Sequence, residues 1–273
     1  MTRGLFISAS GMLNEASRQD IVANNLANVN TSGYKRDIAI SKAFPSVLLN
    51  RINDPRRIGK NFIVDPRPVV GRLGAGANFA ETAHDFVAPA NYQNTGNTLD
   101  LAILGDGFFT IQAPVGQAYT RNGNFVLNVD KMIVTTEGHL VLGEKGPIEV
   151  TGSEVDIDPN GNVLVDGEFV DRLQVVDFLK PYKLMKLGNS MFVPSDPNLT
   201  ADPAENPTVR TGTLEMSNVN VVTEMVDLIT ITRAYQANQK VMMAQDATIG
   251  NAIQLARLGM TLYYKAVVRV GSV

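Results

Sequence analysis

The side chains able to do chemistry are few and scattered along the chain. Histidine, whose ordinary pKa lies near neutrality, occurs only at His84 and His139, in dissimilar surroundings. No His-x-x-x-His or Glu-x-x-His spacing is present, so no helical face presents two metal ligands. His139 follows a glycine in a hairpin-like stretch and reads as an exposed turn residue, and His84 reads in the same way. Gly71-Arg72-Leu73-Gly74-Ala75-Gly76 is glycine-rich, as phosphate loops are, but lacks the Gly-Lys-Ser/Thr ending that would carry the phosphates. Asp158, Asn160 and Asn162 start like a calcium loop. The glycine falls at the fourth position instead of the sixth, however, and Phe169 stands where a bidentate glutamate belongs, so a tight hairpin is the expected structure. Asp100 and Asp106 flank an apolar run and could act as an acid pair, yet Asp106 sits between two glycines as a turn residue does. The sequence therefore supplies no catalytic residue, no cofactor site and no metal site.

Composition narrows the classes further. There is no cysteine, hence no disulfide or thiolate metal site. A net charge of −3 gives no electrostatic footprint for nucleic acid or an anionic membrane, and the absence of tryptophan argues against a large aromatic pocket for a small-molecule substrate. No apolar run is long enough to span a bilayer. The N-terminus lacks a signal-peptide layout, because Asn14, Glu15, Arg18 and Asp20 follow the mildly apolar Gly4 to Met12 at once.

The polar side chains that do cluster are amides. Asn24, Asn25, Asn28 and Asn30 lie close together near one end, and Asn218 and Asn220 stand near the other. They can cap helices and shape turns, or hydrogen-bond across subunit contacts and fix the register of packed helices. Both readings stay open at this level.

The elements that must position them are two long helices. From Val221 to Ala256 there is no proline, with glycine only at Gly250, and Val221, Leu228, Tyr235, Met242, Ile249 and Ala256 recur every seven residues. Met225, Ile231 and Ile253 fall near the same face. Asn218 or Asn220 can cap the start of this helix, and Glu224 and Asp227 suit the positive end of its dipole. From Arg3 to Asn28 a second helix is expected, with Leu5, Met12 and Leu26 in one row and Ala9, Ala16 and Ala23 in another. Between the helices, residues 34–98 are proline-punctuated at Pro45, Pro55, Pro66, Pro68 and Pro89, with basic residues such as Arg51, Lys60 and Arg72. This stretch reads as an extended arm with short strands, or alternatively as a flexible linker, with a short helix possible over Ser41 to Asn50. Residues 99–213 carry short apolar runs at turn-punctuated intervals, among them Leu101–Leu104, Phe108–Ile111, Phe125–Leu127, Ile148–Val150, Val155–Ile157 and Val163–Val165, the pattern of an antiparallel β domain. The expected fold class is therefore α+β: long N- and C-terminal helices (1–33 and 214–273) pairing as a coiled-coil-like unit, an extended arm (34–98) and an inserted β domain (99–213). The tail beyond Ala256 could extend the helix, add a strand or meet a neighbour.

Three motifs carry a family resemblance. Asn24-Asn25-Leu26-Ala27-Asn28-Val29-Asn30-Thr31-Ser32-Gly33-Tyr34-Lys35-Arg36 resembles the N-terminal signature of bacterial flagellar axial proteins, the rod and hook components of the basal body. The run Ser217 to Val226, with Arg233-Ala234-Tyr235-Gln236-Ala237-Asn238, is similar to their C-terminal signature, and Leu101 to Phe109 with Tyr119 to Phe125 to their central motif. Within that family the resemblance is greatest to the proximal rod branch, with the distal branch close behind. The resemblance implies a non-enzymatic, self-assembling rod subunit that transmits torque and encloses the export channel. It implies copies of itself and other rod proteins as partners, passage through the flagellar type III export apparatus without a cleaved signal, and residence in the periplasmic part of the basal body. The subunit contacts it implies lie at Leu5, Ala9, Met12, Ala16, Asn24, Asn25, Leu26, Asn28, Gly33 and Tyr34. On the C-terminal side they lie at Asn218, Asn220, Met225, Leu228, Arg233, Tyr235, Asn238, Met242 and Ile249. A periplasmic enzyme or binding module on a helical stalk is the alternative of another class, and would need titratable groups converging in a pocket of the β domain.

Overall fold

In this computed structural model the described residues are 2–52, 56–58, 62–64, 67–89, 91–152, 154–196, 199–204 and 207–270, with the backbone alone at 2, 56–58, 62–64 and 259–270. Pro55, Lys60 and Pro66 of the arm lie outside them. Helix α1 runs over Thr2–Ala27 and helix α2 over Val221–Val270, so the C-terminal tail extends the helix. Asn220 is the cap of α2: its Oδ1 accepts the backbone N–H of Val222 at 3.0 Å and of Thr223 at 3.2 Å, satisfying two donors that the first turn leaves free.

The expected coiled-coil-like unit of two long paired helices is not formed. The helices are of unequal length, 26 residues against 50, and their surfaces come close at Gly4 beside Gln245 and Gly11 beside Asn238, glycine against amide. Phe6 and Leu13 of α1 are each about seven-tenths exposed, and so are Val222 and Leu255 of α2. Heptad spacing marks a face that wants a partner but does not say that the partner lies in the same chain. The rest of the described structure is short antiparallel strands in several sheets.

The chain divides into two compact units. One takes Met1–Ala23, Ile38–Ala83 and Met225–Val273. In it the arm folds back on itself, Val47–Asn50 pairing with Val69–Leu73 and Arg56–Ile58 with Phe62–Val64. Strands thus replace the short helix considered for Ser41 to Asn50, because cross-strand hydrogen bonds hold this segment extended.

The other unit takes Asn24–Asp37 and His84–Glu224. Its main sheet has nine strands, with Phe108–Ala113 at the centre pairing Gly116–Thr120, Leu140–Val141 and Val175–Asp177. Successive side chains of a strand point to opposite faces, so Phe109 enters a cluster with Leu101, Ile103, Ile111 and Phe125, while Phe108 enters a second with Tyr119, Phe178 and Phe192. All four phenylalanines other than Phe178 are fully buried, each contributing roughly 1.5–3 kcal/mol by leaving water. Leu101–Leu104, Phe125–Leu127 and Val155–Ile157 are strands as the sequence suggests, whereas Ile148–Val150 contributes only isolated bridges around it. Asp158 closes a hairpin, its carboxylate accepting the N–H groups of Asn160 and Asn162 and the Asn162 amide.

Candidate functional site

Where the backbone leaves α1 it turns sharply, and the segment after the turn runs back under the last helical turn. Gly33 makes that path possible: its φ is +66°, its N–H donates to the Glu215 carbonyl at 2.8 Å, and a Cβ there would fall 2.3 Å from the backbone nitrogen of Asn122. The next four residues are then held among charged partners from distant parts of the chain.

Lys35 and Glu215 form the first pair. The Lys35 Nζ lies 2.6 Å from one Glu215 oxygen, across 180 positions of sequence, and both side chains are almost wholly buried. The other oxygen of Glu215 accepts from Arg121 at 3.3 Å. Arg121 also donates to the Gly105 carbonyl at 2.8 Å, and its guanidinium lies over the Phe108 ring. One buried carboxylate is therefore shared between two buried cations.

Glu224, on the first turn of α2, is the second anion and is fully buried. It accepts from Arg36 Nε at 2.5 Å and from Asn25 Nδ2 at 3.2 Å. Asn25 spends its whole side-chain capacity here: Nδ2 also donates to the Asp37 carbonyl at 2.9 Å, and Oδ1 accepts the Asp37 N–H at 2.8 Å. Asn218 ties the same strands, accepting the Arg36 N–H at 2.8 Å and donating to the Asp85 carbonyl at 2.8 Å. The Tyr34 hydroxyl stands 2.9 Å from Asn24 Oδ1, 3.0 Å from Asn25 Oδ1 and 3.3 Å from Asp37 Oδ2. Burial, followed by the nearby Asp37 charge, pushes the Tyr34 phenol far above its usual pKa, so it stays protonated as a donor.

Asp37 is the third anion. His84 Nδ1 and Lys186 Nζ both stand 2.6 Å from its Oδ1, and Lys186 also donates to the Lys35 carbonyl and lies over the Tyr34 ring. Burial alone would raise the Asp37 carboxyl, but hydrogen bonds from His84 and Lys186 outweigh it and hold the group below the usual carboxylate range. Burial in turn draws the Lys186 amine below its ordinary value, against the pull of Asp37. A carboxyl depressed in the folded state stabilises fully above its unfolded pKa of about 3.9, and that stabilisation disappears as pH falls through the folded value. Asp37→Asn is accordingly expected to cost about 1.5–3 kcal/mol at pH 7. The difference from the unsubstituted protein should shrink as the pH drops below about 4. Urea titrations at pH 7 and pH 3 check this, and an unchanged difference would contradict it.

Of the expected contact residues, Asn25, Gly33, Tyr34 and Asn218 come together in this junction. Asn28 is half-buried and donates to the Asn24 carbonyl, while Asn24 and Asn220 are exposed at the helix ends. Leu5, Ala9, Met12, Ala16 and Leu26 are half-buried along α1, as are Leu228, Tyr235, Asn238, Met242 and Ile249 along α2; Met225 and Arg233 are exposed. Sequence reasoning missed Lys35, Arg36, Asp37, Arg121, Lys186, Glu215 and Glu224, and it misread His84, whose ring is hydrogen-bonded to Asp37 and largely buried instead of exposed. Single charges far apart in sequence leave no local pattern; only the tight Gly33-Tyr34-Lys35-Arg36 run hinted that charge enters a crowded place.

Chemically the arrangement is a clamp. Each of the three carboxylates is paired with at least one cation. Among the described residues no group of three or more His, Asp and Glu is placed to hold a metal ion.

Gly33, Tyr34 and Lys35, Arg121, and Glu215 with Glu224 fall within three matches to known families. Residues 5–35 match "Flagella basal body rod protein", 102–165 match "Flagellar hook protein FlgE/F/G D1 domain" and 210–255 match "Flagellar basal body rod FlgEFG protein C-terminal". The chain is 32% identical to the flagellar basal-body rod protein FlgG of Bacillus subtilis, over 94% of this chain and 100% of the relative. It is 33% identical to FlgG of Borreliella burgdorferi, over 94% and 100%. With the flagellar basal-body rod protein FlgF of Rhizobium meliloti the identity is 31%, over 93% and 98%.

Proposed function

The chain belongs to the flagellar basal-body rod proteins, and from that premise we propose that it builds the rod by joining copies of itself through the outward faces of α1 and α2. It is a structural subunit of the flagellar rod, not an enzyme, and it assembles with other rod proteins in the basal body. Among the described residues no helix is long and apolar enough to cross a membrane.

The observation that carries the self-assembly reading is the apolar exposure of both helices. Phe6 and Leu13 on α1, and Val222, Val226 and Ile229 at i, i+4 and i+7 on α2, are each more than half exposed. Such stripes mark a surface that neighbouring subunits cover, and repeated heterologous contacts of this kind grow a filament. Exposed Asn24, Asn220, Met225 and Arg233 lie at or near these faces and meet neighbours in this reading, joined by the half-buried Leu5, Ala9, Met12, Ala16, Leu26, Leu228, Tyr235, Asn238, Met242 and Ile249. Residues 1–33 and 214–273 form the assembling part, the arm at 34–98 braces adjacent subunits, and 99–213 lies outside. The finished rod stands in the periplasm, transmits torque and leaves a channel for export. The chain reaches it through the flagellar type III export apparatus.

Phe6→Asp combined with Val226→Asp tests the surface. Both positions are exposed, so monomer stability should stay within about 0.5 kcal/mol per site. Self-association measured by sedimentation should be lost, together with motility when the variant replaces the native gene. Normal assembly by the double variant would sink the proposed contact faces while leaving the rod assignment intact.

A further inference from the structure

The junction joins the exit of α1 to the entry of α2 through charge, whereas the β unit beneath it rests on two apolar clusters. We propose that the junction is a two-part latch in which the segment after α1 and the segment before α2 order only together. The two segments then open together while the β core stays folded. This stands independently of the rod reading.

The argument is one of mutual dependence. Glu224 is fully buried, and the hydrogen-bonding side chains that reach it, Arg36 and Asn25, both come from the N-terminal side, 188 and 199 positions away. If that side detaches, a carboxylate is left in a dry site without cation or amide, so the first turn of α2 must swing out to water. In the other direction, Lys35 is buried against Glu215, and Asn25 and Arg36 lose Glu224 and Asn218 if the C-terminal side leaves. The N-terminal segment cannot keep those groups buried alone. Glu215 differs from Glu224 in retaining Arg121 from the β unit, so the latch has its foot on the core and its two moving parts above it. Apolar contacts weaken gradually as surfaces separate, but a buried ion pair is either matched or costly, which makes the opening cooperative.

Hydrogen exchange on the full chain, read segment by segment, tests the idea. With Glu224→Gln, protection should fall about tenfold or more over both 20–37 and 217–230, and stay unchanged in Phe108–Ala113 and Gly116–Thr120. Asn25→Ala, made on the opposite side, should loosen 217–230 to the same extent as 20–37. Loss confined to the substituted segment would overturn the coupling. Loss of protection throughout the β core, or failure to fold, would overturn the separability and make the junction an ordinary part of the global fold.

Discussion

Glu215→Ala is expected to lower the stability of the protein by about 3–5 kcal/mol, the usual consequence of removing one partner from a buried ion pair. The reason is not the loss of attraction alone. Lys35 and Arg121 are both buried, and both lean on this carboxylate, so its removal leaves two cations in a place that cannot solvate them. Arg121 keeps the Gly105 carbonyl, but its Nε already lacks a partner, so the guanidinium has little left to compensate with. The expected signature in urea is a lower midpoint at an unchanged slope. A loss below about 1 kcal/mol would mean that Lys35 reaches water by a small movement and that the pair is marginal.

Gly33→Ala is expected to cost about 3 kcal/mol or more, from two separable sources. An alanine at φ +66° pays roughly 1–2 kcal/mol for the left-handed conformation. Its Cβ would also fall 2.3 Å from Asn122 N and 2.6 Å from the Arg121 carbonyl carbon, backbone atoms that cannot step aside as a flexible side chain can. Gly96→Ala is the control, because its φ of +76° carries the same conformational cost while a Cβ there meets nothing within 4 Å. Thermal unfolding of both variants separates the terms. Equal losses would show that the turn has room and that the close approach of the three motifs is not limiting.

The two substitutions probe the same place from opposite directions, one by removing a charge and one by adding a methyl group. Gly33, Arg121 and Glu215, far apart in sequence, lie within the three stretches matched to rod-protein families.

What the sequence by itself determined was the local and the familial. Proline-free heptad runs located both helices, turn chemistry placed Asp158 and narrowed the α2 cap to Asn218 or Asn220, and alternating apolar runs announced the β unit; the three motifs named the family. These features are legible because each depends on neighbours a few positions away. Pairing was decided only in three dimensions. The seven-residue rows of Leu5 and Leu228 promised a helix pair, but a row states which face is apolar and not what covers it, and Phe6 and Leu13 remain open to solvent. His84 looked like a surface histidine of the arm, and its partner Asp37 reaches it from 47 positions away. Glu224 looked like a dipole-favoured first-turn residue and is instead the centre of a buried clamp. A buried charge acquires its meaning from partners that chain folding brings together over nearly two hundred positions, and no spacing rule reaches that far.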